Sequence, residues 1–145
     1  MSKKITICGS MQFAKEMAQL KQELESLGWI VFTPDLSEKS SSYEELQNNA
    51  RLKTKKEFIT NHFERIKKSN AILVANYEKK GIKGYVGSNT LMEIAVAHML
   101  QKVIYIFNDL DPQNCEEEVR ALTTHFLNGR VKNIKKKTYE KIGNI

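Results

Sequence analysis

Short runs of β-branched and aromatic residues alternate with helical patterns along this chain, and that alternation constrains the fold more than any other feature. The runs "KITIC", "WIVFT", "AILVA" and "VIYIF" each have the length and composition of a strand. Between the first two, apolar residues recur at spacings of four and three, which predicts an amphipathic helix: Phe13, Met17, Leu20, Leu24 and Leu27. Parallel strands need helical crossovers, so the pattern predicts a doubly wound, mostly parallel α/β sheet.

The expected architecture is flavodoxin-like or Rossmann-like, with five strands and helices on both faces. A length of 145 residues predicts one domain over residues 1–145. The stretch "NCEEEVRALTTHFL" predicts a helix, and a weak fifth strand is expected near residues 129–134. If strands 1 and 3 are adjacent, as in the common five-stranded order, a ligand is expected where their carboxyl ends meet.

Several functional classes are disfavoured by composition. No apolar run approaches the length of a membrane span, and the start of the chain lacks the apolar region of a signal peptide, so a soluble cytoplasmic protein is expected. The two cysteines, Cys8 and Cys115, match no metal-ligand spacing, and no two histidines stand four residues apart. The sequence therefore predicts neither a metal site nor a cofactor.

The net charge of +6 raises the question of an anionic partner. Its densest stretch is the tail "RVKNIKKKTYEK", which is rich in lysine and holds a single aromatic residue, Tyr139. Proteins that bind nucleic acids usually add arginine forks or an aromatic platform to such a patch. A solvated basic face is therefore favoured, and a nucleic-acid partner is the weaker alternative.

Two polar segments that contain glycine follow the first and third strands, and the expected strand order brings them together. They are "CGSMQ" and "NYEKKGIKGYVGSNT". In the first, Cys8, Gly9 and Ser10 can offer backbone N–H groups and a hydroxyl to an anion or a sugar. The alternative is a tight turn with Ser10 as N-cap, and both remain open. The glycine spacing in the second segment fits neither a dinucleotide fingerprint nor a phosphate loop.

Glu93 admits two interpretations. Together with Thr90 it forms T-x-x-E, the pattern of a capping box that stabilises the start of a helix, and spacing alone favours this role. The alternative is that the carboxylate lies beside the crevice and attacks or stabilises a sugar carbon whose bond to a leaving group is breaking.

The segments "ITICGS", "IKKSNAILVAN" and "GYVGSNTLMEIAVAHMLQKVIYIFN" resemble the nucleoside 2-deoxyribosyltransferase superfamily, which includes 2′-deoxynucleoside 5′-phosphate N-hydrolases and CMP N-glycosidases. The resemblance covers roughly residues 3–108. It implies that Glu93 is the nucleophile that forms a glycosyl-enzyme intermediate at C1′. It also implies that Gly9 and Ser10 contribute to the nucleotide pocket, and that the sugar or 5′-phosphate end is lined by Gly87, Ser88 and Asn89.

The sequence departs from the family pattern at two places. The family commonly has an Asp at the start of the third strand, where this chain has Asn70, which can hydrogen-bond and position a substrate but cannot act as a general acid. Phosphate-binding members carry an Arg soon after the strand 1 serine, whereas "SMQFAK" offers only Lys15. The requirement for a 5′-phosphate therefore stays open.

The resemblance implies an enzyme that cleaves or transfers at the N-glycosidic bond of a nucleoside or nucleoside monophosphate. It also implies a homo-oligomer, because related enzymes often complete the pocket with a residue from a neighbouring subunit. The alternative is a non-catalytic nucleotide-binding or sensing module of the same fold. Hydrolysis and transfer to a second base are not distinguished by the sequence.

Overall fold

The sheet of the computed structural model, which describes residues 3–35 and 41–134, has five parallel strands in the order β2-β1-β3-β4-β5. The strands are β1 (Lys4–Cys8), β2 (Ile30–Phe32), β3 (Ala71–Val74), β4 (Val103–Ile106) and β5 (His125–Phe126). Strands β1 and β3 are adjacent, so the predicted α/β architecture and the expected crevice between their carboxyl ends are confirmed.

The crossovers are helical, as parallel pairing requires. The helices are α1 (Ala14–Ser26), α2 (Ser41–Glu44), α3 (Asn48–Lys67), α4 (Ser88–Met99) and α5 (Glu116–Leu122), with 3-10 turns at Met11–Phe13 and Val131–Asn133. Helix α1 is followed by Gly28 at φ +96°, the left-handed conformation in which glycine commonly ends a helix. None of the helices within the described ranges has the length and hydropathy of a membrane span.

The helices cover the sheet on both faces. Helix α1 packs its buried residues, among them Leu20 and Leu24, against Ile7 and Leu73 on one face. On the other face Ile66 of α3 and Ile94 of α4 belong to the cluster that contains the outward side chains of β3 and β4. Alternate residues of each strand therefore pack against helices on opposite faces of the sheet. This explains why the central strands are apolar throughout.

The fifth strand is His125–Phe126, so the predicted strand at residues 129–134 is wrong, and the predicted helix stops at Leu122. Thr124 accounts for the difference. Its backbone N–H donates to the Ile104 carbonyl at 2.8 Å, and its hydroxyl accepts from the Ile104 N–H at 3.0 Å. The β-branched pair Thr123 and Thr124 favours extended backbone, so the chain joins β4 directly after α5. Part of the lysine-rich tail, residues 135–141, lies outside the described residues.

Candidate functional site

A pocket of about 520 Å³ lies at the carboxyl ends of β1 and β3. It is the place where the two polar segments were expected to meet. Six of the eight predicted site residues line it: Gly9, Ser10, Gly87, Ser88, Asn89 and Glu93. The structure therefore brings together the loop after β1, the loop before α4 and the acid of α4.

Glu93 does not belong to a capping box. Helix α4 begins at Ser88 with Gly87 as its N-cap, and its first turn contains no acidic residue. Thr90 lies inside the helix and is 4% exposed, so it is not the N-cap that T-x-x-E requires. The capping interpretation is wrong because extended backbone at Gly87 starts the helix three residues earlier. Glu93 thus falls in the second turn, on the side of the helix that lines the pocket.

Two buried side chains lie close to Glu93. The Nε2 atom of His62 is 3.8 Å from Glu93 Oε2. The Cys8 sulfur, a His62 ring nitrogen and a Glu93 carboxylate oxygen all lie within 4.8 Å of one another. These groups come from three elements, β1, α3 and α4, so no spacing rule applied along the sequence could have joined them.

Cys8 was predicted to bind substrate, and the structure contradicts that role. The residue is fully buried and does not line the pocket, because it is the last residue of β1 and its side chain packs with Val74 and Ile106. Burial raises the pKa of the Cys8 thiol well above its usual value, and the negative charge of Glu93 and a hydrogen bond to it add to the effect. The thiol therefore stays protonated and can donate to the carboxylate.

His62 was not identified from the sequence. The pKa of its imidazole is lowered to about 4, chiefly by burial and then by the Arg65 guanidinium, while the backbone of Ile7 opposes both. The ring is therefore neutral at physiological pH. A usable signal was present in the sequence: Phe58, His62 and Ile66 recur every four residues, which places His62 on the buried face of α3.

Cationic side chains line the same pocket. They are Arg51 and Lys55 of α3 and Lys79 of the loop after β3. The Lys79 ammonium donates to Ser10 Oγ at 3.0 Å. Ser10 Oγ also accepts from the Gln12 N–H at 3.3 Å, so Ser10 caps the 3-10 turn and lines the pocket at once. The N-cap interpretation of Ser10 is therefore confirmed, and the binding of a ligand by Ser10 stays a prediction.

Asn70 was predicted to be a positioning residue, and the structure places it at the wrong edge of the sheet. It precedes β3 at the amino end, separated from the pocket by the length of that strand, about 13 Å. Its side-chain oxygen accepts from the Lys4 N–H at 2.9 Å. Asn70 therefore joins β1 to β3 and does not line the pocket.

At the carboxyl end of β3 a different asparagine, Asn76, is fully buried. Its amide accepts from the Asn108 N–H at 2.8 Å and donates to the Asn108 carbonyl at 2.7 Å. Asn108 in turn donates from its side chain to the Asn76 carbonyl at 3.2 Å, and Asn76 reaches the Gly84 carbonyl at 3.4 Å. The reciprocal pair ties the start of the loop that carries Lys79 to the segment after β4, and the bond from Asn76 to Gly84 joins that start to the far side of the same loop.

Comparison with solved structures shows what the chain is similar to in fold. One neighbour is a 2-deoxyribosyltransferase from the psychrotolerant bacterium Bacillus psychrosaccharolyticus, with a TM-score of 0.62, 18% identity, and coverage of 94% of this chain and 95% of that one. Another is a CMP N-glycosidase from Clostridium botulinum, with a TM-score of 0.51, 14% identity, and coverage of 98% and 97%.

These neighbours show that the chain has the fold expected from the resemblance, over nearly the whole of each chain. Comparison of the sequence itself with protein-family models and with curated proteins finds no match. The roles of the pocket residues therefore have to be argued from their geometry.

Proposed function

We propose that this protein acts on the N-glycosidic bond of a nucleoside monophosphate, with Glu93 as the nucleophile. The observation that carries the proposal is the position of Glu93: it lines the pocket at the carboxyl ends of β1 and β3 and does not cap its own helix. The fold neighbours, a deoxyribosyltransferase and an N-glycosidase, support this class of reaction.

In the proposed reaction a carboxylate oxygen of Glu93 bonds to C1′ while the bond from C1′ to the base nitrogen breaks. The base leaves with the electron pair of that bond and takes up a proton from water in the pocket. The transition state is oxocarbenium-like, so the negative charge of Glu93 stabilises it before the new bond is complete. Water or a second base then attacks C1′ and restores the carboxylate.

The cationic lining favours a monophosphate over an uncharged nucleoside. Arg51, Lys55 and Lys79 place three positive side chains around one pocket, and the backbone N–H groups at the start of α4 face the same space. A 5′-phosphate supplies the matching charge. The chain lacks the Arg that phosphate-binding family members carry after the strand 1 serine. In this proposal α3 and the loop after β3 supply the cations that bind the phosphate instead.

We further propose that the protein is a homodimer, or a larger homo-oligomer, that uses the outer face of α4. That face is apolar and exposed: Met92 is 40% exposed and Met99 is 83% exposed, with Ala95 and Val96 between them. An interface that buries more than about 1,000 Å² in total is expected there. Light scattering checks this. A dimer that becomes monomeric on Met99→Glu supports it, and a wild-type monomer at assay concentration contradicts it.

The proposed function is tested by incubating the protein with a panel of nucleoside monophosphates and nucleosides. Chromatography measures the free base that is released. Glu93→Gln is expected to lower the rate by about 1,000-fold or more, because an amide cannot form the glycosyl ester or stabilise the cation. The matched control is Glu117→Gln on the exposed side of α5, which is expected to leave the rate unchanged.

Lys79→Gln tests the substrate class in the same assay. We expect kcat/KM for the monophosphate to fall about 10-fold, since one charge-assisted contact is lost, while the value for the nucleoside stays within about twofold. Equal losses for both substrates would contradict phosphate recognition by Lys79. A wild-type protein that binds monophosphates but releases no base would overturn the enzymatic proposal in favour of a non-catalytic nucleotide-binding module.

A further inference from the structure

The Nε2 atom of His62 is a buried polar atom with no hydrogen-bond partner among the described residues. The side chain is only 3% exposed. Leaving a buried donor unsatisfied carries a free-energy penalty, so such an atom in a folded protein calls for an explanation. The Oε2 oxygen of Glu93 lies 3.8 Å from it.

The other ring nitrogen fixes the tautomer. Arg65 Nη1 lies 3.3 Å from His62 Nδ1. A guanidinium only donates hydrogen bonds, so Nδ1 must accept and therefore carries no proton. A neutral imidazole with a bare Nδ1 has its proton on Nε2. The orphaned atom is thus an N–H group, and it lies 3.8 Å from the carboxylate of Glu93.

We propose that His62 is a positioning residue that holds Glu93 through its Nε2–H group, an inference that rests on the proposed function. Donation to Oε2 fixes the orientation of the carboxylate that, in the proposed function, attacks C1′ of the substrate. The resting separation of 3.8 Å has to shorten by about 1 Å, and catalytic hydrogen bonds commonly tighten when substrate binds. The role is that of a neutral donor and requires no change in the charge of His62.

The groups that face this contact come from each element packed around it. Cys8 approaches from β1 with a protonated thiol, and Arg65 lies on α3 beside the ring. Lys55 and Lys79 line the pocket above Glu93. Each of these groups either donates to the carboxylate or carries positive charge.

The alternative use of this cluster is a metal site, since thiol, imidazole and carboxylate are all ligands for zinc. A metal at Nε2 would need the lone pair of that nitrogen and would move the proton to Nδ1. Histidine ligands usually donate from the second nitrogen to a carboxylate or carbonyl, whereas here a guanidinium occupies that direction. Arg65 therefore favours the hydrogen-bond donor over the metal ligand.

Two substitutions separate positioning from simple packing. His62→Leu keeps the volume and removes the donor, and we expect kcat for base release to fall about 10- to 100-fold with little change in KM. His62→Gln keeps an N–H donor near the Nε2 position and is expected to stay within about fivefold of wild type. His98→Gln, an exposed histidine on α4, is the control and should leave kcat unchanged.

The pH profile is a readout that packing alone would not move. Loss of a donor to the carboxylate makes its charged form less favourable, so the acidic limb of the kcat/KM profile of His62→Leu should shift to higher pH. The profile of His62→Gln should stay close to that of wild type. Equal rates and unshifted profiles for His62→Leu and wild type would overturn the proposal.

A spectroscopic test decides the matter even if the wild-type protein releases no base and the proposed function fails. NMR of protein labelled with 15N in its histidines should show His62 as the neutral tautomer protonated on Nε2 at pH 7, with that signal shifting on Glu93→Gln. A proton on Nδ1, or no response to the Glu93 change, contradicts the inference. So does saturation by equimolar zinc with shifts at His62 that Cys8→Ser abolishes, which would identify a metal site instead.

Discussion

The two faces of the sheet are packed by different chemistry. The face covered by α1 is built from aliphatic and aromatic side chains such as Ile7, Leu73 and Phe107. The face covered by α3 and α4 contains Thr6, which bonds to Ser69, and it also contains the buried side chain of His62. One face is therefore packed by apolar burial, whereas the other also accommodates polar groups, among them the histidine beside Glu93.

The largest effect on stability is expected from a cavity on the α1 face. Leu73→Ala removes a fully buried side chain from a close-packed cluster, and we expect the free energy of unfolding to fall by about 2 to 5 kcal/mol. Urea unfolding measures this change. Base release per folded molecule should stay unchanged, and a large loss of kcat at temperatures where the variant is folded would break the contrast between the faces.

The second largest effect is expected from His62 on α3, which should make the free energy of unfolding depend on pH. The pKa of His62 is about 4 in the folded protein and 6.5 in the unfolded chain, so the unfolded state binds more protons between these values. The contribution of His62 to stability is fully present above pH 6.5 and is lost as the pH falls toward 4. The loss is about 3 kcal/mol in total.

This prediction is checked by urea unfolding of wild type and His62→Gln at a series of pH values. The difference between the two proteins should change between pH 6.5 and 4, with wild type losing more stability on acidification. The difference isolates His62 from other groups, including His125, whose pKa is also lowered by burial. A constant difference across this range would show that His62 is not buried as a neutral group.

The smallest effect is expected at the hydroxyl pair of Thr6 and Ser69, which lie 2.7 Å apart. Ser69 donates to the Arg65 carbonyl at 2.8 Å, so the Thr6 hydroxyl must be the donor within the pair. Thr6→Val therefore leaves the Ser69 donor satisfied and should lower the free energy of unfolding by about 1 kcal/mol. Ser69→Ala leaves the Thr6 hydroxyl without its acceptor and should lower the free energy of unfolding by more than Thr6→Val does. The reverse order in thermal or urea unfolding would contradict this assignment of donors.

The fold followed from local patterns because strand composition, helical periodicity and the glycine cap at Gly28 agree with one another. The segments that form the pocket followed as well, since parallel strands bring their carboxyl ends to one edge. Asn70 was misplaced because a family pattern was transferred to the amino end of the strand. Cys8 was misassigned because the last residue of a strand still packs in the core.

What the sequence could not provide was the contribution of α3. Arg51, Lys55 and His62 reach the pocket or Glu93 only because α3 and α4 pack side by side on the sheet. That packing depends on the rotation of each helix about its axis, which the spacing of apolar residues defines only approximately. The start of α4 was predicted three residues too late. Its N-cap is Gly87, which has no side chain that could mark the cap in the sequence.

The reciprocal pair of Asn76 and Asn108 has a consequence for how this scaffold can be altered. The pair fixes the start of the loop that carries Lys79, and a bond from Asn76 to the Gly84 carbonyl closes the base of the loop. The tip of the loop is a tight turn at Lys80 and Gly81, both with left-handed backbone. The tip can be lengthened or exchanged while the clamped base keeps its geometry. If the proposed function holds, selectivity for substrates can therefore change, in evolution or by grafting, without a change in the residues around Glu93.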